Sequence, residues 1–194
     1  MRTSLLLALS LLPLTTSCSF MTTDKVEVDE SVAQDSFYAL EAETLEGETQ
    51  ALADYQGQVT LVVNTASQCG YTSQYAQLQE LQDTYGEQGF RVLGFPSGDF
   101  GGQEFDTAGE IRSFCSDSYD ISFPLFAKSG VKEGEGQSAV YTYLGKASGS
   151  LPGWNFGKYL VGRDGKVIAF YASPVKPMGD ELRGAVEAAL ATEG

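Results

Sequence analysis

Val59-Thr60-Leu61-Val62-Val63-Asn64 is a β-branched, nearly all-apolar run, and the rest of the chain must be arranged around it. A strand with no polar face has to be covered on both sides, which places it in the middle of a sheet. From Thr72 to Tyr85 the apolar positions Tyr75, Leu78, Leu81 and Tyr85 recur at helical spacing, and Gly86 and Gly89 close that segment. Phe90-Arg91-Val92-Leu93-Gly94-Phe95 reads as a second strand. Strand, helix and strand with so long a connection predict a right-handed parallel crossover. The Cys69 segment then lies at the carboxyl end of a central strand, just before a helix. Open α/β sheets bind their ligands at that edge.

Other elements follow from turn chemistry and periodicity. Glu46-Gly47-Glu48, between Phe37–Ala42 and the stretch to Leu52, predicts a hairpin, and 54–58 predicts a turn. Helices are expected over Ala108–Asp117 and, more briefly, Ser138–Leu144. Lys158–Val161 and Lys166–Phe170 flank an Asp164-Gly165 hairpin turn, and Leu182, Val186 and Leu190 place a closing helix over Asp180–Leu190. This order resembles that of a thioredoxin-like fold: an α/β domain with a central mixed β-sheet flanked by helices and an N-terminal β-hairpin. The domain is expected to occupy residues 36–194, with no internal repeat.

The first residues read as an address. Met1-Arg2-Thr3 is positive, and Leu5 to Leu14 is apolar but too short for a permanent bilayer span, as in a secretory signal covering residues 1–17. Leu14-Thr15-Thr16-Ser17-Cys18 resembles a bacterial lipoprotein signal, which implies that Cys18 becomes a lipidated N-terminus. The other reading is an ordinary cleaved signal in which Cys18 is incidental. Residues 18–35 are polar and acidic, without a clear period, and read as a tether. Together these predict an exported bacterial envelope protein, facing the periplasm or the cell exterior, that touches the membrane only through a lipid anchor.

Composition narrows the chemistry. With 12 basic and 26 acidic residues the net charge is −14, which argues against binding nucleic acid or holding to anionic lipid by charge. The chain has no histidine. That removes Ser-His-Asp and Cys-His catalysis and the commonest metal ligand, so any nucleophile needs another means of activation. No metal or cofactor is expected.

Cys69 is the first candidate. The thiolate is the reactive form, and the N-terminus of a helix favours it; Gly70 beside it lets a substrate approach closely. A buried structural cysteine fits the local residues equally well. The surrounding words decide. Asn64-Thr65-Ala66-Ser67-Gln68-Cys69-Gly70-Tyr71-Thr72 resembles the peroxidatic motif of the glutathione peroxidase family. Leu93-Gly94-Phe95-Pro96 with Phe100-Gly101-Gly102-Gln103-Glu104 resembles its second motif, and Trp154-Asn155-Phe156 with Lys158 its third. The resemblance runs from about Phe37 to Leu190. It implies a catalytic set in which Cys69 is joined by Gln103, Trp154 and Asn155. Taken singly, a lone Trp usually packs and Asn or Gln usually sits in a solvated turn. Together their neutral N–H donors can stabilise a thiolate and orient a peroxide without histidine.

The implied cycle reduces hydrogen peroxide and organic or lipid hydroperoxides. Cys69 becomes a sulfenic acid, and a second thiol must resolve it. Family members that use thioredoxin carry a resolving cysteine on a helix shortly before Phe-Pro; here Cys115 precedes Phe123-Pro124. Its other reading is a small core residue sharing a helix face with Ile111 and Phe114. The resemblance implies a monomer and a thioredoxin-like or, less readily, a glutathione reductant. The chain departs from the pattern at Ser97-Gly98-Asp99, where Cys-Asn-Gln is common, and at Phe105, where proline is usual. The competing function is a non-catalytic or redox-sensing thioredoxin-fold envelope lipoprotein.

Overall fold

The computed structural model describes residues 36–192; the expected signal, Cys18 and the whole of the expected tether lie outside the described residues. Strand β1 (Glu41–Glu43) pairs antiparallel with β2 (Thr49–Ala51). The main sheet contains β3 (Val59–Thr65), β4 (Phe90–Pro96), β5 (Lys158–Val161) and β6 (Val167–Tyr171), in the order β4-β3-β5-β6. β3 runs parallel to β4, with Val59 opposite Phe90 and Thr65 opposite Pro96. β5 is antiparallel to both β3 and β6. The helices are α1 (Gln74–Tyr85), α2 (Ala108–Tyr119), α3 (Ala139–Ser148) and α4 (Asp180–Ala191). This is the expected thioredoxin-like arrangement. Among the described residues no helix is long and apolar enough to cross a membrane.

All seven residues of β3 are buried. Their side chains alternate between two cores, as strand geometry requires. Val59, Leu61 and Val63 pack with Leu78 and Leu81 of α1, Ile111 and Cys115 of α2, and Leu182 and Val186 of α4. Val62 faces the opposite core with Phe37, Leu52, Tyr141 and Leu144. The apolar run is therefore a strand sandwiched between two layers, and its carboxyl end opens onto the Cys69 loop.

Two short segments differ from the sequence reading. Phe37–Ala39 is a 3-10 turn rather than part of a strand, with Ser36 Oγ accepting the Tyr38 N–H. Phe37 and Tyr38 are both buried, and consecutive strand residues would point to opposite faces. Leu52–Tyr55 is likewise 3-10, because Leu52 and Tyr55 share a face at three residues per turn. Helix α2 carries a reciprocal capping box between Thr107 and Glu110, and runs on to Tyr119. The β5–β6 hairpin turns at Gly165, with φ +81°; a Cβ there would lie 2.1 Å from Ser36 Oγ, so only glycine fits.

Candidate active site

Three stretches of chain meet at the carboxyl end of β3. The first is the Cys69 loop. The Thr72 hydroxyl donates to the Ala66 carbonyl (2.9 Å) and accepts the Cys69 N–H (2.9 Å), folding the loop into a tight turn. This turn aims the Tyr71 N–H at Cys69 Sγ, 3.4 Å away. Helix α1 begins only at Gln74, so this loop amide, not the first turn of the helix, is the donor to the sulfur. Cys69 is 8% exposed and unpaired, and a Cβ at Gly70 would meet nothing within 4 Å. The side that Gly70 leaves clear is open, as expected.

The second stretch carries Gln103. Gly101 and Gly102 have φ of +72° and +62°, two successive left-handed residues that turn the chain back on itself. The returning segment lies along the Cys69 loop: Gln68 N–H donates to Gln103 O (2.9 Å), and Ser67 N–H to Glu104 Oε1 (3.2 Å).

The third stretch leads into β5. Asn155 is fully buried, and its amide donates to Gln103 Oε1 (3.2 Å) and to the Phe100 carbonyl (3.4 Å). With its oxygen engaged, Gln103 has its NH₂ as the donor end of the amide. The Trp154 ring lies 5.8 Å from that of Phe100 and is 41% exposed. Gln103, Asn155 and Trp154 thus form one connected group, held by main-chain bonds against the Cys69 loop. A cleft of about 430 Å³ opens beside them, lined by Tyr71, Trp154, Gly157, Phe170, Ser173 and Pro174.

Asn64, quoted above only as a motif letter, holds the third stretch in place. Its Oδ1 accepts Gly157 N–H (2.8 Å), its Nδ2 donates to Trp154 O (3.2 Å), and its carbonyl accepts Phe156 N–H (2.6 Å). Between these bonds Phe156 adopts φ +64°, a left-handed conformation that a bulky residue keeps only when its surroundings impose it. Asn64→Ala strands the Gly157 N–H without its acceptor. We expect a stability loss of about 2–4 kcal/mol, from one unsatisfied amide and one lost bond. We also expect at least a ~10-fold drop in kcat/KM as Trp154 and Asn155 lose their position. Denaturant unfolding and a steady-state peroxide assay check the two separately.

Lys158 supports the same loop. It is fully buried, and its ammonium donates to the carbonyls of Phe156 (2.7 Å), Ser173 (3.3 Å) and Val175 (2.8 Å). Burial pushes its pKa down to about 7, while the three carbonyl oxygens favour the charged form.

Both departures from the family pattern have local explanations. Asp99 Oδ2 accepts the Val131 N–H (2.6 Å) and Lys132 N–H (3.0 Å), so its charge anchors a neighbouring loop. Phe105 donates its N–H to Glu104 Oε1 (2.9 Å), a bond proline could not make, and stacks edge-on against Phe114 of α2. Cys115 is fully buried in α2, unpaired, and in the same core cluster as Cys69; burial pushes its thiol up to about 11.

The family model described as glutathione peroxidase matches residues 37–145. The hydroperoxy fatty acid reductase of Synechocystis is 42% identical over 168 residues, covering 81% of this chain and 98% of its own. The glutathione peroxidase-like peroxiredoxin 2 of Saccharomyces cerevisiae is 41% identical over 147 residues, covering 73% of this chain and 90% of its own. The crystal structure of Trgpx in apo form superposes with a TM-score of 0.66 at 32% identity, over 82% of this chain and 98% of that one. A buried cysteine loop and a connected Gln–Asn–Trp group, on a fold shared with these relatives, lead to one conclusion: the chain belongs to the glutathione peroxidase family.

Proposed function

We propose that Cys69 is the peroxidatic residue of this thiol peroxidase, with Gln103, Trp154 and Asn155 completing the site and Cys115 resolving the oxidised sulfur. The observation that carries this reading is the bond from Asn155 to Gln103 Oε1, which leaves the glutamine NH₂ as the donor of that amide, on a stretch whose backbone is bonded to Gln68 beside Cys69. The Cys69 thiolate attacks one oxygen of a hydroperoxide, the O–O bond breaks, and water or an alcohol leaves. The neutral N–H donors stabilise negative charge on sulfur and on the leaving oxygen. The sulfenic acid then condenses with the Cys115 thiol to a disulfide and water, and a thioredoxin-like dithiol reopens it.

The apolar walls of the cleft beside Trp154, supplied by Tyr71, Phe170 and Pro174, suit a hydroperoxide carried on a hydrocarbon chain. The name of the Synechocystis relative supports the same substrate class. The chain acts as a monomer. The Leu5–Leu14 run and Cys18 support an envelope enzyme held by a lipid anchor.

The test is a single turnover of the full-length chain with one equivalent of hydrogen peroxide or of a fatty-acid hydroperoxide. Intact mass and peptide mapping should show a Cys69–Cys115 disulfide that reduced thioredoxin reopens, with the fatty-acid hydroperoxide converted to its alcohol. Both thiols remaining reduced would overturn the reading.

A further inference from the structure

Two stretches far apart in the chain line the cleft beside the catalytic group: one carries Gly153, Trp154 and Gly157, the other is the turn at 172–174. Tyr71, whose N–H lies 3.4 Å from Cys69 Sγ, lines it too. The turn carries none of the peroxide-cleaving residues, yet two buried polar side chains hold it. Lys158 grips it on either side of Pro174, donating to Ser173 O (3.3 Å) and Val175 O (2.8 Å). Its bond to Phe156 O (2.7 Å) ties the same ammonium to the Trp154 stretch. Gln74, the first residue of α1, is 5% exposed and donates from Nε2 to Ser173 O (2.8 Å). One carbonyl therefore receives a tie from β5 and another from the helix that follows the Cys69 loop.

The Gln74 tie is one-sided. Its Oε1 is buried with no partner among the described residues. Burying an unpaired acceptor is costly, and an apolar side chain of similar size would avoid that cost. What only the amide supplies is the bond to the turn. Pro174 has no N–H, so its place depends on the carbonyls beside it. Within the turn Val175 N–H donates to Ala172 O (3.0 Å), which closes it but does not fix its distance from Trp154.

We propose that Gln74 and Lys158 are positioning residues that fix the width of the cleft between this turn and Trp154, and so select hydroperoxides carried on a hydrocarbon chain over hydrogen peroxide. This rests on the reading that the cleft seats the hydrocarbon chain of the substrate. An apolar chain gains contact in proportion to the surface it buries against walls already in place. A wall free to drift loses part of that contact and must be ordered on binding. Hydrogen peroxide has no chain to bury, so its reaction does not draw on the turn.

The test compares the full-length chain with Gln74→Met, Lys158→Met and Gln77→Met. Each is mixed with hydrogen peroxide, a short alkyl hydroperoxide or linoleic acid hydroperoxide. Samples are quenched with a thiol-blocking reagent and read by intact mass and peptide mapping, which gives the second-order rate of Cys69 oxidation without any reductant. The readout is the ratio of the linoleic acid hydroperoxide rate to the hydrogen peroxide rate. Methionine fills a similar volume to glutamine, and in Gln74→Met the Ser173 carbonyl keeps its bond from Lys158. Gln77 is the control: it lies one helical turn on from Gln74 and its Oε1 accepts Met178 N–H (3.3 Å), outside the cleft lining.

Gln74→Met should lower the ratio at least ~5-fold, about the effect of one lost hydrogen bond. Lys158→Met should lower it at least as far, and should also slow hydrogen peroxide because Phe156 adjoins Asn155. Gln77→Met should stay within two-fold of wild type. A Gln74→Met ratio within two-fold of wild type would overturn the proposal. So would an equal slowing with both peroxides, or an equal fall in Gln77→Met, either of which marks a merely structural role. Should Lys158→Met fail to fold, Gln74→Met decides. A wild-type chain that reacts no faster with linoleic acid hydroperoxide than with the short alkyl hydroperoxide would instead overturn the reading of the cleft, and this proposal with it.

Discussion

With serine at position 69, hydroperoxide reduction falls at least about a thousand-fold, to the level of incidental thiols. The reason is chemical rather than architectural. A hydroxyl is not appreciably ionised near neutral pH, and oxygen cannot take up a peroxide oxygen to give a stable analogue of sulfenic acid. The surrounding loop should survive, since Thr72 binds Ala66 O and the Cys69 N–H rather than the sulfur. The melting temperature should therefore stay within a few degrees of wild type. Peroxide consumption and thermal unfolding, measured on the same preparation, check both halves. Activity within ten-fold of wild type would remove Cys69 from the peroxidatic role.

Cys115→Ser should separate the two halves of the cycle. One equivalent of peroxide is still reduced, because Cys69 and its donors are untouched. Turnover with a thioredoxin-type dithiol then drops by about a hundred-fold or more, and the waiting sulfenic acid advances to sulfinic acid as peroxide is raised. Serine introduces a hydroxyl into a fully buried site, at a cost of about 1–3 kcal/mol without a partner. Quenched mass spectrometry and steady-state kinetics with the dithiol check the outcome. Undiminished turnover would mean that the reductant attacks the sulfenic acid directly.

Strand β3, helix α1 and strand β4 could be read from the chain because each carries an unbroken pattern: apolar throughout, apolar every third or fourth residue, then apolar again. The 3-10 turns at Phe37–Ala39 and Leu52–Tyr55 could not, since a short run of neighbouring apolar residues fits a strand equally well until the core is seen to lie on one side. Within the site, Cys69, Gln103, Trp154 and Asn155 came from motif resemblance, and the structure connects the last three. Asn64, Glu104 and Lys158 act through partners far along the chain, such as Trp154 for Asn64 and Ser173 for Lys158. No local pattern encodes such a pairing. A trace was nonetheless present: Asn64 is a polar residue closing an otherwise apolar strand, and Lys158 is a charge opening a buried one. Buried polar residues generally have a defined partner, and here that partner is the 154–157 loop.

Trp154 is the only tryptophan in the chain, and it stands half in solvent on the wall of the cleft shared with Tyr71 and Phe170. Excited at wavelengths that the ten tyrosines do not absorb, the protein therefore fluoresces from one indole, next in the chain to Asn155. Entry of an apolar molecule into that cleft would change the polarity around the ring. The enzyme carries its own optical probe, and events in that cleft can be timed in stopped flow without attaching a label.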